Sequence, residues 1–164
     1  MFAPNGPARL DVSDSFIANN GNSVSTAGIL IKPVSGGSAN VSVSRTDLKS
    51  NVNGIFLDGT GGGGPVNLNV RDSLVTGSSN VGIVVVTNGP AVTALIERTT
   101  VTSSANVGVA VSGAAATVRI GNSTIYGNVT GVAAANGANL RSFKNNQIRT
   151  NGTDGTPITA DNLD

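Results

Sequence analysis

Val70-Arg71-Asp72-Ser73-Leu74-Val75, followed after a short polar gap by Gly82-Ile83-Val84-Val85, is the stretch that decides the fold, because its first half recurs six times. The phrase apolar-x-x-(Ser/Thr/Asn)-x-aliphatic returns as Val12-Ser15-Ile17, Val43-Thr46-Leu48, Val70-Ser73-Val75, Ile96-Thr99-Val101, Ile120-Ser123-Ile125 and Phe143-Asn146-Ile148. The second half, Gly followed by aliphatics, returns at Gly28, Gly54, Gly82, Gly108 and Gly131 and is degraded at Gly155-Thr156-Pro157-Ile158. Successive phrases start 31, 27, 26, 24 and 23 residues apart, so one supersecondary unit repeats with its turns trimmed from copy to copy.

Each unit carries three apolar patches: an alternating pair such as Leu68 and Val70, a single aliphatic such as Val75, and the pair after Gly. Period-2 alternation sends these residues to one face of three short strands and the intervening polar residues to the other. Equivalent strands of successive units run in the same direction and are expected to pair in parallel sheets roughly 4.8 Å apart. The expected fold is all-β: a right-handed, single-stranded parallel β-helix of about six three-strand coils, tapering toward the C-terminus. One domain spans 1–164, with a partial coil at 1–9, coils at 10–37, 38–64, 65–90, 91–115 and 116–138, and a last coil with its tail or cap at 139–164. A β-sandwich would also show short strands and Gly-rich turns, but it predicts no vertical columns of compatible residues.

Such columns are present. Two residues into each phrase stand Asp14, Arg45, Asp72, Arg98, Asn122 and Asn145, an alternation of charge that neighbouring coils need, and Arg71 beside Glu97 repeats it one position earlier. This surface ladder of Asp14, Arg45, Asp72, Arg98, Arg71 and Glu97 is expected to set register more than to add stability. The column Ser15, Thr46, Ser73, Thr99, Ser123, Asn146 suits backbone satisfaction at a corner. Asn53, Asn80, Asn106 and Asn128, just before the Gly positions, are expected to ease sharp turns in the left-handed region.

Composition narrows the chemistry. The chain of 164 residues is 38% hydrophobic and 3% aromatic with 22 Gly, so its core must be aliphatic and its turns many. It has neither Cys nor His, which removes disulfides, thiolate metal sites, thiol nucleophiles and the commonest general base. A net charge of +1 with dispersed Lys and Arg gives no footprint for nucleic acid or an anionic membrane, and neither partner is expected. Met1-Phe2-Ala3-Pro4 does not open a signal peptide.

At its closing repeats, Gly121-Asn122-Ser123-Thr124-Ile125, Asn145-Asn146-Gln147-Ile148 and Asn151 to Pro157, the chain resembles the bacterial right-handed parallel β-helix repeat proteins of the pectate-lyase-like superfamily fold. The resemblance implies a fold that hosts lyases, hydrolases, adhesins and spacers alike. It also implies a secreted or cell-surface parent with further N-terminal coils. Aligning Pro4–Leu10 with Pro33–Val41 puts Met1-Phe2 where Leu30-Ile31 lie one coil later, so the expectation is an N-terminally truncated fragment whose uncapped coils associate end to end.

No catalytic, cofactor or metal residues are expected. The acidic residues Asp11, Asp14, Asp47, Asp58, Asp72, Glu97, Asp154, Asp161 and Asp164 are scattered, and Arg45 stands between Asp14 and Asp72, so neither a carboxylate pair nor a Ca²⁺ cluster emerges. Gly61-Gly62-Gly63-Gly64 lacks the Lys-Ser/Thr of a phosphate loop and reads as a turn. Tyr126 reads as a lone surface residue, and the column Ala18, Lys49, Thr76, Thr102, Tyr126, Arg149 is no flat Thr array. The expected function is a non-catalytic structural or interaction β-helix. The alternative is a polysaccharide-binding or polysaccharide-active module.

Overall fold

The computed structural model describes residues 1–156 and 158–161; Pro157 and Asn162–Asp164, part of the stretch read as tail and cap, lie outside them. The described chain is a parallel β-solenoid without helices. Its coils comprise β1 (Pro7–Ser13), β2 (Phe16–Ala18) and β3 (Ala27–Ile31); β4 (Ser38–Ser44), β5 (Asp47–Lys49) and β6 (Asn53–Gly59); β7 (Val66–Arg71), β8 (Leu74–Thr76) and β9 (Ile83–Thr87). They continue with β10 (Val92–Glu97), β11 (Thr100–Thr102) and β12 (Val107–Ser112), then β13 (Ala116–Gly121), β14 (Thr124–Tyr126) and β15 (Thr130–Ala135). A reduced coil follows, β16 (Asn139–Ser142), β17 (Gln147–Ile148) and β18 (Thr153–Gly155), and β19 (Thr159–Ala160) pairs with β16.

First strands stack as one seven-stranded sheet, β1-β4-β7-β10-β13-β16-β19, while second and third strands form two six-stranded sheets. The columns read from the repeat are the observed registers: Val12 opposes Val43, Val43 opposes Val70, Ile96 opposes Ile120, and Leu48 opposes Val75. Regular turns number about five where the repeat count gives about six, because the last coil is stunted. Phe2 bridges Ile31 one coil on, where the alignment of Pro4 with Pro33 puts it.

The core is a stack of aliphatics inside the three sheets, with Ile31, Val43, Leu48, Ile55, Leu57, Val70, Val75, Ile83, Ile96, Val101, Ile120 and Ile125 fully buried. Each such burial contributes roughly 1.5 to 3 kcal/mol before the cost of ordering the chain. Two connections shorten along the chain: the one from third strand to next first strand goes from six residues (32–37, 60–65) through four (88–91) to three (113–115, 136–138), and the one after the second strand goes unevenly from eight (19–26) to three (127–129).

The glycines that open the third strands are conserved along the stack for want of space. A Cβ on Gly54 would lie 2.4 Å from Val75 Cγ1 and 2.6 Å from the Gly82 carbonyl oxygen, and one on Gly82 would lie 2.5 Å from Val101 Cγ1 and 2.6 Å from the Gly108 carbonyl oxygen. The sixth phrase departs from its reading at its first residue. Ser142, not Phe143, opposes Ile120, and four residues instead of two separate β16 from β17. The extra length turns Phe143 out of the core, and the core column ends in a serine.

Candidate functional site

The corner between first and second strands is the most regular feature of the surface. In the first five coils it is two residues long, and its first residue is left-handed: Asp14, Arg45, Asp72, Arg98 and Asn122 have φ of 50°, 46°, 51°, 45° and 48°. The second residue closes it, as Ser15, Thr46, Ser73, Thr99 and Ser123 each donate a hydroxyl hydrogen bond to the carbonyl two residues back, at 2.7–2.9 Å. In the last coil the left-handed residue is Lys144, with φ 64°, one position before the Asn145 read into this column, a consequence of the displaced Phe143. Asn145 instead accepts from the Asn122 backbone N–H.

These corners hold the charge ladder, which resolves into separate pairs. Arg45 donates to both oxygens of Asp14, each at 2.7 Å, and Arg98 to both oxygens of Asp72 at 2.7 and 3.1 Å. The guanidinium hydrogen bonds hold the Asp14 and Asp72 carboxyls below the usual carboxylate range, and the carboxylates in turn raise both arginines. Arg71 and Glu97 are register partners, yet the Glu97 carboxylate pairs with Arg98 at 3.1 Å.

Four further ion pairs are not legible in the repeat. Arg9 pairs with Asp11 at 2.8 Å on one strand. Lys32 meets Asp58 at 2.7 Å, where burial pushes the carboxyl up but the hydrogen bonds from Lys32 and Thr60 more than reverse it. Arg119 and Arg141, from successive coils, share Asp161 at 2.6 and 3.0 Å, and hold its carboxyl low. Gly61, Gly63 and Gly64 pack on Pro33 and Gly37 as an intercoil turn, with Gly62 left-handed and facing open space.

The asparagines before the Gly positions are not the left-handed turn residues. That conformation belongs to Asn19, Ser50, Gly77, Ser103, Gly127 and Thr150. The asparagines form two hydrogen-bonded ladders instead, because an amide can donate to one coil and accept from the next. Asn53, Asn80 and Asn106 make an outer one, with Nδ2 donating to the amide oxygen one coil back at 3.0 and 3.4 Å. Asn128 belongs to an inner one with Asn20, Asn51 and Asn151: its Oδ1 accepts from Ser104 N, its backbone N donates to Asn151 Oδ1, and its Nδ2 donates to the Val101 carbonyl. Ser78 and Ser104 interrupt the inner ladder, and their buried hydroxyls have no partner among the described residues.

The outer face of the seven-stranded sheet carries a groove of about 480 Å³. Its walls are the outward residues of the first strands: Arg9 and Asp11 on β1, Asn40 and Ser42 on β4, Asn67 and Asn69 on β7, Thr93 and Leu95 on β10, Arg119 on β13, with Phe143 at the far end. Along it Asn67 Nδ2 donates to Asn40 Oδ1 at 3.0 Å and Thr93 Oγ1 donates to Asn67 Oδ1 at 2.6 Å. Asn69 Oδ1 is buried without a partner among the described residues. The repeat places all of these but Phe143 in two outward columns, and Phe143 reaches the far end because it is displaced from the core column. No group of three or more acidic side chains among the described residues could hold a metal ion.

The fold is that of a parallel β-solenoid repeat protein. No family profile matches the chain, nor does any curated protein or solved structure.

Proposed function

We propose that this chain is a non-catalytic β-helical interaction module, a rigid rod that presents its outer faces to a partner. The observation that carries the reading is the use made of the carboxylates. Asp14, Asp58, Asp72 and Asp161 are each held by a cation, with their carboxyls below the ordinary range. Glycoside hydrolysis needs one carboxyl kept protonated as an acid. A carboxylate gripped by two guanidinium nitrogens is suited to clamping coils together.

The test is incubation of the 164-residue chain with a panel of neutral and acidic polysaccharides, with and without Ca²⁺, following new reducing ends and unsaturated products. Absence of turnover on every substrate is expected. Turnover lost in an Asp14→Asn or Asp72→Asn variant would overturn the reading in favour of a polysaccharide-active module of the pectate-lyase-like kind. The groove favours polysaccharide as the partner in the second reading, since it is long, open and lined by amides and hydroxyls.

A further inference from the structure

We infer that the outer face of the third-strand sheet is an interface between two copies of this chain, packed face to face with their rod axes antiparallel. The inference gives one face of the interaction rod its partner, and it rests on that reading.

The third strands are apolar on both sides. Their inward residues, among them Ile31, Ile55, Leu57, Ile83 and Val109, are core. The residues between them point outward and stack in one column, Leu30, Phe56, Val84, Ala110 and Ala133, each in register with the next. Outward columns of the other two sheets carry Asn40, Asn67 and Thr93, and Lys49, Thr76 and Tyr126. A strand with one wet face alternates, whereas an unbroken run such as Ile83-Val84-Val85-Val86 belongs to a parallel sheet covered on both faces. Here the outer side is left partly exposed at Leu30, Phe56, Ala110 and Ala133, with no element laid over it among the described residues.

Size decides the occupant. The column runs from large to small along the rod, with Val84 in the middle. A two-fold axis along β9 makes the contact isologous, the same patch on both copies. It sets Val84 against the partner's Val84, Phe56 against the partner's Ala110 and Leu30 against the partner's Ala133. Every layer then holds one large and one small side chain, or two of middle size, as dense packing of aligned sheets requires. With rod axes parallel, ring would meet ring at Phe56 and methyl would meet methyl at Ala133, wedging the sheets apart at one end. The neighbouring outward column agrees. Asp58, already paired with Lys32 at 2.7 Å, comes opposite the partner's Ser112, and Lys32 comes opposite the partner's Ala135, so no like charges meet.

Six strands about 4.8 Å apart, each about five residues long, give a face of about 500 Å² per copy and about 1,000 Å² in all, the lower bound for a specific interface. The dimer is therefore weak, half-dissociated at roughly 10–100 μM chain.

Sedimentation velocity of the 164-residue chain, in a concentration series spanning that range, tests this. The expected result is a reversible monomer–dimer equilibrium. Val84→Lys sets two ammonium groups against each other on the axis and should hold the chain monomeric throughout. Phe56→Ala and Ala110→Phe should each weaken the dimer about tenfold or more, by a cavity in one case and a clash of rings in the other. Combining the two should restore it, because the exchange changes only which copy supplies the ring. Phe16→Ser, at the free edge of the first coil, should leave the dimer unchanged, which separates it from edge pairing. Circular dichroism identifies any variant that does not fold, and Val84→Lys and the exchanged pair serve as alternates for each other. A chain monomeric throughout, association undiminished in Val84→Lys, or no recovery in the exchanged pair would each overturn the interface. So would a monomeric chain that pellets with neutral phosphatidylcholine vesicles, which would assign the face to a lipid surface. Such failures are distinct from polysaccharide turnover, which would overturn the broader reading instead.

Discussion

Asn51 and Asn128 each satisfy both a backbone donor and a backbone acceptor on the preceding coil, and that makes them the side chains whose loss should be felt most among the polar residues. Asn51 accepts from the Asn20 backbone and donates to the Ile17 carbonyl; Asn128 does the same for Ser104 and Val101. Removing either amide strands buried donors and acceptors, so Asn51→Ala and Asn128→Ala should each destabilise by about 2–4 kcal/mol in urea unfolding. Ser104→Ala removes a hydroxyl that has no partner and should be close to neutral. Equal losses at Asn128 and Ser104 would mean that the ladder contributes nothing specific. Gly82→Ala should cost about 1–3 kcal/mol, since its Cβ meets both Val101 and the rigid Gly108 carbonyl; an unchanged urea midpoint would show that the corner yields. The role of the amides was only half legible in the sequence. A repeat identifies an Asn column, but the choice between turn residue and ladder rung depends on a φ value that spacing does not carry.

At the level of the strand and its corners, the sequence is most readable where the corner is shortest. Two residues allow one conformation, left-handed then closed by a hydroxyl, so phrase and structure agree through five coils. The corner after the second strand varies from three to eight residues (50–52, 19–26), and its left-handed residue is therefore hidden among others. Gly77 and Gly127 occupy that position in two coils and Ser103 in the coil between. Ser103→Gly should accordingly raise the thermal midpoint, by the equivalent of up to about 1 kcal/mol, if relief of the left-handed strain outweighs the loss of the hydroxyl contact to Thr102 and the freedom added to the unfolded chain. A lowered midpoint would show that this contact and that freedom dominate. Phe143 misleads for a related reason: the apolar letter at the expected position hides the slack of the four-residue corner that it opens.

For the molecule as a whole, the stability profile against pH follows from its carboxylates and its lack of His. Asp14, Asp58, Asp72 and Asp161 have folded-state pKa values below their unfolded ones, so each contributes stability that is fully present above the unfolded value, about pH 4, and is lost as pH falls through the folded one. Urea midpoints should be flat from pH 5 to 8 and fall below pH 4. A decline between pH 6 and 7 would contradict this assignment. The first coil presents the free edges of β1 and β2 with Phe16 68% exposed, and the 164-residue chain is expected to self-associate there with rising concentration in light scattering. A mass fixed at monomer across the series would count against edge pairing.

The unequal corners also set where the rod can grow. An insertion into the two-residue corner would separate the left-handed residue from its closing hydroxyl and shift the strands beyond it, as the displaced Phe143 does in miniature. The Gly61–Gly64 turn stands apart from that constraint, on a connection whose length already differs from coil to coil. Foreign segments placed there would project sideways while the sheets kept their alignment, which makes the solenoid a ruler from which new loops can hang at fixed heights.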